Sequence, residues 1–76
     1  MTQDLAQDLL EGADAIAAFM FGDPRKRRRV YYLAERGLIP AFKLGETLCA
    51  RRSTLVAHIQ AQEAAALRNA QAGDHA

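Results

Sequence analysis

The chain has 76 residues, half of them apolar, with one cysteine, no tryptophan and a net charge of +1. That length holds one small domain and excludes a second. A chain so short buries only about 60% of the surface it exposes when unfolded, too little for deep pockets that host elaborate chemistry. A lone Cys49 cannot form an internal disulfide, which points to a reducing cytoplasm.

The first residues lack the basic start and apolar run of an export signal, and no stretch reaches transmembrane length, so no membrane partner is expected. Residues 1–8 read as a loose acidic segment, residues 9–62 as the folded domain, and residues 63–76 as an alanine-rich tail that is frayed helix or disordered. Within the domain, Leu9, Leu10, Ala13, Ile16, Ala17 and Met20 recur at helical spacing. Gly22-Asp23-Pro24 breaks the pattern, which predicts a first helix from about Gly12 to Phe21. Asp23 is placed to cap a second helix with Pro24 in its first turn, where the missing N–H is no loss. That helix runs to about Arg36, with Val30, Leu33 and Ala34 on its inner face and Gly37 as a left-handed C-cap.

After Pro40 the period changes. Phe42, Leu44, Leu48 and Ala50 alternate with Lys43, Thr47, Cys49 and Arg51 about a Gly45-Glu46 turn, the pattern of a small β-hairpin. Ser53 is the expected cap of a third helix that packs Leu55, Val56 and Ile59 onto the core and loses its anchor beyond Gln62. The fold class that follows is mostly α with a small β-hairpin.

The net charge conceals a polarised distribution. Met1 to Asp23 carries five acids and no Lys or Arg, Pro24 to Arg52 carries nine bases against two acids, and the remainder sums to −1. A basic middle of that density is the footprint of a polyanion binder. Arg25, Lys26, Arg27, Arg28 and Arg29 open the second helix, and like charges at a helix N-terminus oppose the helix dipole, so they suggest a use. Two helices joined by a short turn form a helix-turn-helix, whose second helix enters the major groove of DNA. Arg28 and Arg29 are the expected base readers, with the other three bases holding phosphates. Tyr31 is expected in the core, whereas Tyr32 either packs or offers its hydroxyl to a phosphate. Phe19 and Phe21 are expected as core or staple residues.

The stretch YYLAERGLIPAFKLG followed by RRSTLVAHI resembles the excisionase-like DNA-binding family of the MerR-like winged helix-turn-helix superfamily. The matching positions are Arg36, Gly37, Ile39 to Gly45, Arg51, Arg52, Ser53, Leu55 and Ile59, within a resemblance spanning roughly Leu9 to Gln62. Between Gly22 and Val30 the chain has about two residues more than the family's usual turn, so either the connection is longer or the second helix starts earlier. The hairpin tip holds Glu46, Thr47, Leu48 and Cys49 where relatives often place arginine or aromatic residues, which leaves Lys43 with Arg51 as the phosphate-contacting pair there.

The resemblance implies a winged helix-turn-helix that binds double-stranded DNA at repeated sites, bends it and promotes integrase-mediated excision of a mobile element. The implied setting is the cytoplasm of a bacterium or its phage. The implied partners are DNA, further copies of the chain and an integrase. A small transcriptional regulator, or the DNA-recognition adaptor of a packaging complex, is the alternative. The expected DNA-binding residues are Arg25, Lys26, Arg27, Arg28, Arg29, Tyr32, Lys43, Arg51 and Arg52. No cofactor, metal or enzymatic role is expected: His58 and His75 lie seventeen residues apart without ligand spacing, and Cys49 has no activating histidine.

Overall fold

The computed structural model describes residues 4–73; His75 and the outermost residues of the acidic segment and the tail lie outside that range. Asp4 accepts the Ala6 N–H and starts a single helical turn, α1 (Leu5–Asp8), which leads into the short strand β1 (Leu9–Glu11). Helix α2 (Ala13–Phe21) ends at Gly22, whose φ of +73° is a left-handed conformation that an L side chain adopts only with strain. Asp23 then accepts the Arg25 N–H and caps a 3-10 turn over Pro24–Lys26.

Helix α3 (Arg27–Glu35) follows without a gap. It closes in a Schellman motif: Gly37, at φ +69°, donates to the Ala34 carbonyl and Leu38 to the Leu33 carbonyl. Strands β2 (Phe42–Leu44) and β3 (Thr47–Arg51) form the hairpin, and α4 (Arg52–Gly73) completes the chain. The protein is therefore mostly helical with a small antiparallel sheet of three strands, in the order β1-β3-β2. Among the described residues no helix is long and apolar enough to cross a membrane.

Ile16, Ala17, Val30, Leu48, Ala50 and Leu55 form the centre of the core, with Leu10, Ala13 and Ile39 beside them. Alanines at positions 13 and 17 let α2 lie close under its neighbours, so one isoleucine fills the space between the helices and the sheet. His58 Nε2 donates to the Leu38 carbonyl at 2.8 Å and ties α4 to the loop that follows α3.

Four expectations need correction. Leu9 and Leu10 belong to a strand rather than a helix approach: β1 pairs with β3 through Leu9↔Arg51, Leu10↔Ala50 and Glu11↔Cys49. The two alternating sets of the hairpin do not keep to separate faces. A two-residue turn pairs Leu44 with Thr47 and Phe42 with Cys49, which puts Lys43 on the face of Leu48 and Ala50 and leaves Phe42 and Leu44 exposed.

The cap of α4 is the third correction. Ser53 does not cap by its own hydroxyl; Asp8, far back in the sequence, accepts the Ser53 N–H at 2.8 Å and the Ser53 hydroxyl at 2.6 Å. Lastly, only Leu55 of the expected α4 trio is buried. Val56 and Ile59 stay 44% and 43% exposed and, with Phe19 and Met20, line an open apolar groove of about 360 Å³ between α2 and α4.

Candidate nucleic-acid interface

Helix α3 buries one residue completely, Val30, and that residue fixes where every other side chain points. At about 100° per residue, Arg28 and Tyr32 stand about 160° from Val30, Glu35 about 140°, Arg36 about 120°, and Arg29 and Tyr31 about 100° on opposite flanks. The burial pattern agrees: all of these are exposed, as are Arg25, Lys26 and Arg27. The outward face of the helix thus carries Arg28, Tyr32, Glu35 and Arg36, with Arg28, Tyr32 and Arg36 one turn apart along it.

Three contacts shape this surface. Arg25 forms a fork with Asp23, Nε to Oδ1 at 3.1 Å and Nη2 to Oδ2 at 3.3 Å, and that pairing holds the Asp23 carboxyl below its ordinary value. Arg25 remains 88% exposed, and a pair this wet is weak enough to yield to a phosphate. Arg29 lies over the Phe21 ring at 5.2 Å, which leans it toward α2. Arg36 lies over the Tyr32 ring at 4.9 Å, which fixes both side chains on the outward face. Tyr31 is half exposed rather than in the core, because it follows Val30 by one residue and is turned out of the interior. Phe19 is likewise more open than a core residue, at 39%, while Phe21 packs partly on the core.

Between α3 and the hairpin runs an open groove of about 350 Å³, walled by Tyr31, Glu35, Phe42 and Lys43 with Leu48 at its base. The two-residue turn is what aims Lys43 into it. The hairpin cation therefore faces the Tyr31, Ala34 and Glu35 side of α3, the flank opposite Arg29.

Arg51 and Arg52 stand apart from this assembly. Arg51 Nε donates to Asp8 Oδ2 at 2.9 Å, and Arg52 donates to the Gln7 carbonyl and rests over the Phe19 ring at 5.9 Å. Both guanidinium groups fasten the segment around α1 to the start of α4. The bonds from Ser53, reinforced by Arg51, hold the Asp8 carboxyl below its ordinary value. Of the nine expected contact residues, Arg25, Lys26, Arg27, Arg28, Arg29 and Tyr32 are exposed on α3 and the turn before it, Lys43 stands across the groove on the hairpin, and Arg51 and Arg52 bond to the segment around α1.

Sequence reasoning passed over Arg36, Tyr31 and Glu35. The signal for Arg36 was present, since it follows Arg28 and Tyr32 at four-residue steps. Among the described residues no group of three or more His, Cys, Asp and Glu side chains is arranged to hold a metal ion. No protein-family model, curated protein or solved structure matches the chain.

Proposed function

We propose that the chain binds double-stranded DNA as a winged helix-turn-helix, with α2 and α3 as the helix pair, α3 as the reading helix and the β2–β3 hairpin as the wing. The observation that carries this reading is the outward face of α3. A run of five bases over the 3-10 turn and the start of α3, and a sixth at Arg36, stand in solvent, and Lys43 lies across an open groove from the Tyr31 and Glu35 flank of the same helix. Arg28 is the favoured base reader, because its side chain projects from the crest and its guanidinium fork matches guanine O6 and N7. Arg29, drawn toward Phe21, is better suited to a phosphate, as are Arg25, Lys26, Arg27, Arg36 and Lys43.

The role we propose is that of a recombination directionality factor: binding at repeated sites, bending the duplex and promoting excision by an integrase. Its support is the resemblance carried by Arg36-Gly37, Ile39 to Gly45 and Arg51 to Ser53. A single module of this size covers about 600–1,000 Å² on DNA, so several copies acting together on one site would supply the specificity.

The test is a footprint and binding titration on DNA flanking the chain's own gene at several salt concentrations. With six phosphate contacts per copy, log affinity falls against log salt with a slope of about −5. Failure to bind any duplex in dilute buffer overturns the reading. An excision assay with the neighbouring integrase separates the recombination role, in which product rises, from promoter occupancy without recombination.

A further inference from the structure

We infer that Glu35 selects the base at one position of the DNA site, choosing cytosine; this rests on the proposal that α3 lies in the major groove. Glu35 is the sole acid between Pro24 and Gly45, a stretch with seven bases. It is exposed, and among the described residues no hydrogen bond or ion pair engages its carboxylate. It also sits in the last turn of α3, where the helix dipole disfavours a negative charge. Lys43 lines the same groove as Glu35 but forms no ion pair with it, so no contact among the described residues holds the carboxylate.

Position and chemistry together supply an account. Seven residues separate Arg28 from Glu35, so the two lie within about 20° of one line along the helix, about 10.5 Å apart on its axis. That spacing is close to three base-pair steps of about 3.4 Å. A side chain on the line of the base reader meets base edges too.

A carboxylate only accepts hydrogen bonds. In the major groove, guanine N7 and O6, adenine N7 and thymine O4 are all acceptors and repel it, and the donors are cytosine N4 and adenine N6. Adenine sets its donor beside the N7 lone pair, which faces the carboxylate unfavourably. Cytosine sets its donor beside a C–H. Glu35 therefore favours cytosine by about tenfold over the other bases, the scale of one good base contact. On any wrong sequence it adds a negative charge against the phosphates, so it gains discrimination by weakening binding elsewhere.

In vitro selection from a random duplex library tests this with the full chain, Glu35→Ala and Glu35→Gln, each checked for helix content by circular dichroism. The wild type should enrich cytosine about three base pairs from the guanine read by Arg28. Glu35→Ala should lose preference at that position alone while binding random duplex more tightly. Glu35→Gln should change the preferred base to adenine, since an amide accepts from N6 and donates to N7. Identical preferences in all three proteins overturn the inference, as does a wild type that retains duplex without enriching any sequence. A wild type that retains no duplex at all in dilute buffer overturns the DNA-binding reading itself, a distinct and separately visible failure.

Discussion

Arg28 and Lys43 illustrate how two cations on one surface differ in what they do. Arg28 projects from the crest of α3, whereas Lys43 looks across the groove from the hairpin. On the proposed complex with DNA, a fork at the crest would meet base edges and a point charge at the margin the sugar-phosphate strand. Arg28→Ala should lose about 1–3 kcal/mol on the preferred sequence and flatten selectivity at one base pair. Lys43→Ala should weaken every sequence alike and reduce the salt slope by about one. Titrations against a preferred and a scrambled duplex check both, and equal small losses for the two variants would show that the crest is not the reading edge. The five-base run and its start at Asp23-Pro24 were legible in sequence because capping chemistry is local. Tyr31 was not, because two adjacent tyrosines give no periodicity, and only the burial of Val30 sets which way each one turns.

At the scale of elements, α2, α3 and the hairpin strands could be read from spacing and from Gly22, Gly37 and Gly45. β1 could not. Three residues carry no detectable alternation, and Leu9-Leu10 joins smoothly onto the helical pattern of α2. The cap of α4 was equally hidden, since the carboxylate that supplies it belongs to Asp8, brought in only when β1 pairs with β3. The hairpin differs: its alternation and its Gly45-Glu46 turn were both legible, and the turn pairs Leu44 with Thr47 and Phe42 with Cys49, so apolar residues of the two strands fall on opposite faces.

Asp8 gives this level a measurable consequence. Its folded pKa lies below the ordinary value of 3.8, so the unfolded chain holds its proton more tightly and the contribution to stability is complete above that value. It is lost as pH falls through the lower folded value. Thermal melts between pH 7 and pH 2 should show a falling melting temperature below about pH 4. Asp8→Asn should melt lower at neutral pH and lose part of that acid dependence. A variant with the wild-type melting profile would mean that the sheet pairing alone holds α1 in place.

Across the whole molecule, charge is sorted by segment, and the fold uses part of that sorting internally. Asp8 and Asp23 are drawn to Arg51 and Arg25, while Asp4, Glu11 and Asp14 remain exposed. What is left for an external polyanion is concentrated on α3, its preceding turn and Lys43. Helix α4 continues unbroken to Gly73, well past the last buried side chain at Leu55. Alanine propensity carries the helix through exposed residues, so it runs on beyond Gln62, where the packing pattern alone expects fraying or disorder.

Cys49 is the chain's single thiol, fully shielded on the middle strand with a partner strand along each edge. An aromatic disulfide reagent reaches the sulfur only when those strands part, so its chromophore release keeps time for spontaneous opening. A bound duplex should slow that clock about a hundredfold once its free concentration is 100 times its Kd. If the release rate barely changes, the edge strand peels without α3 letting go of the duplex, and the molecule breathes in two parts instead of one.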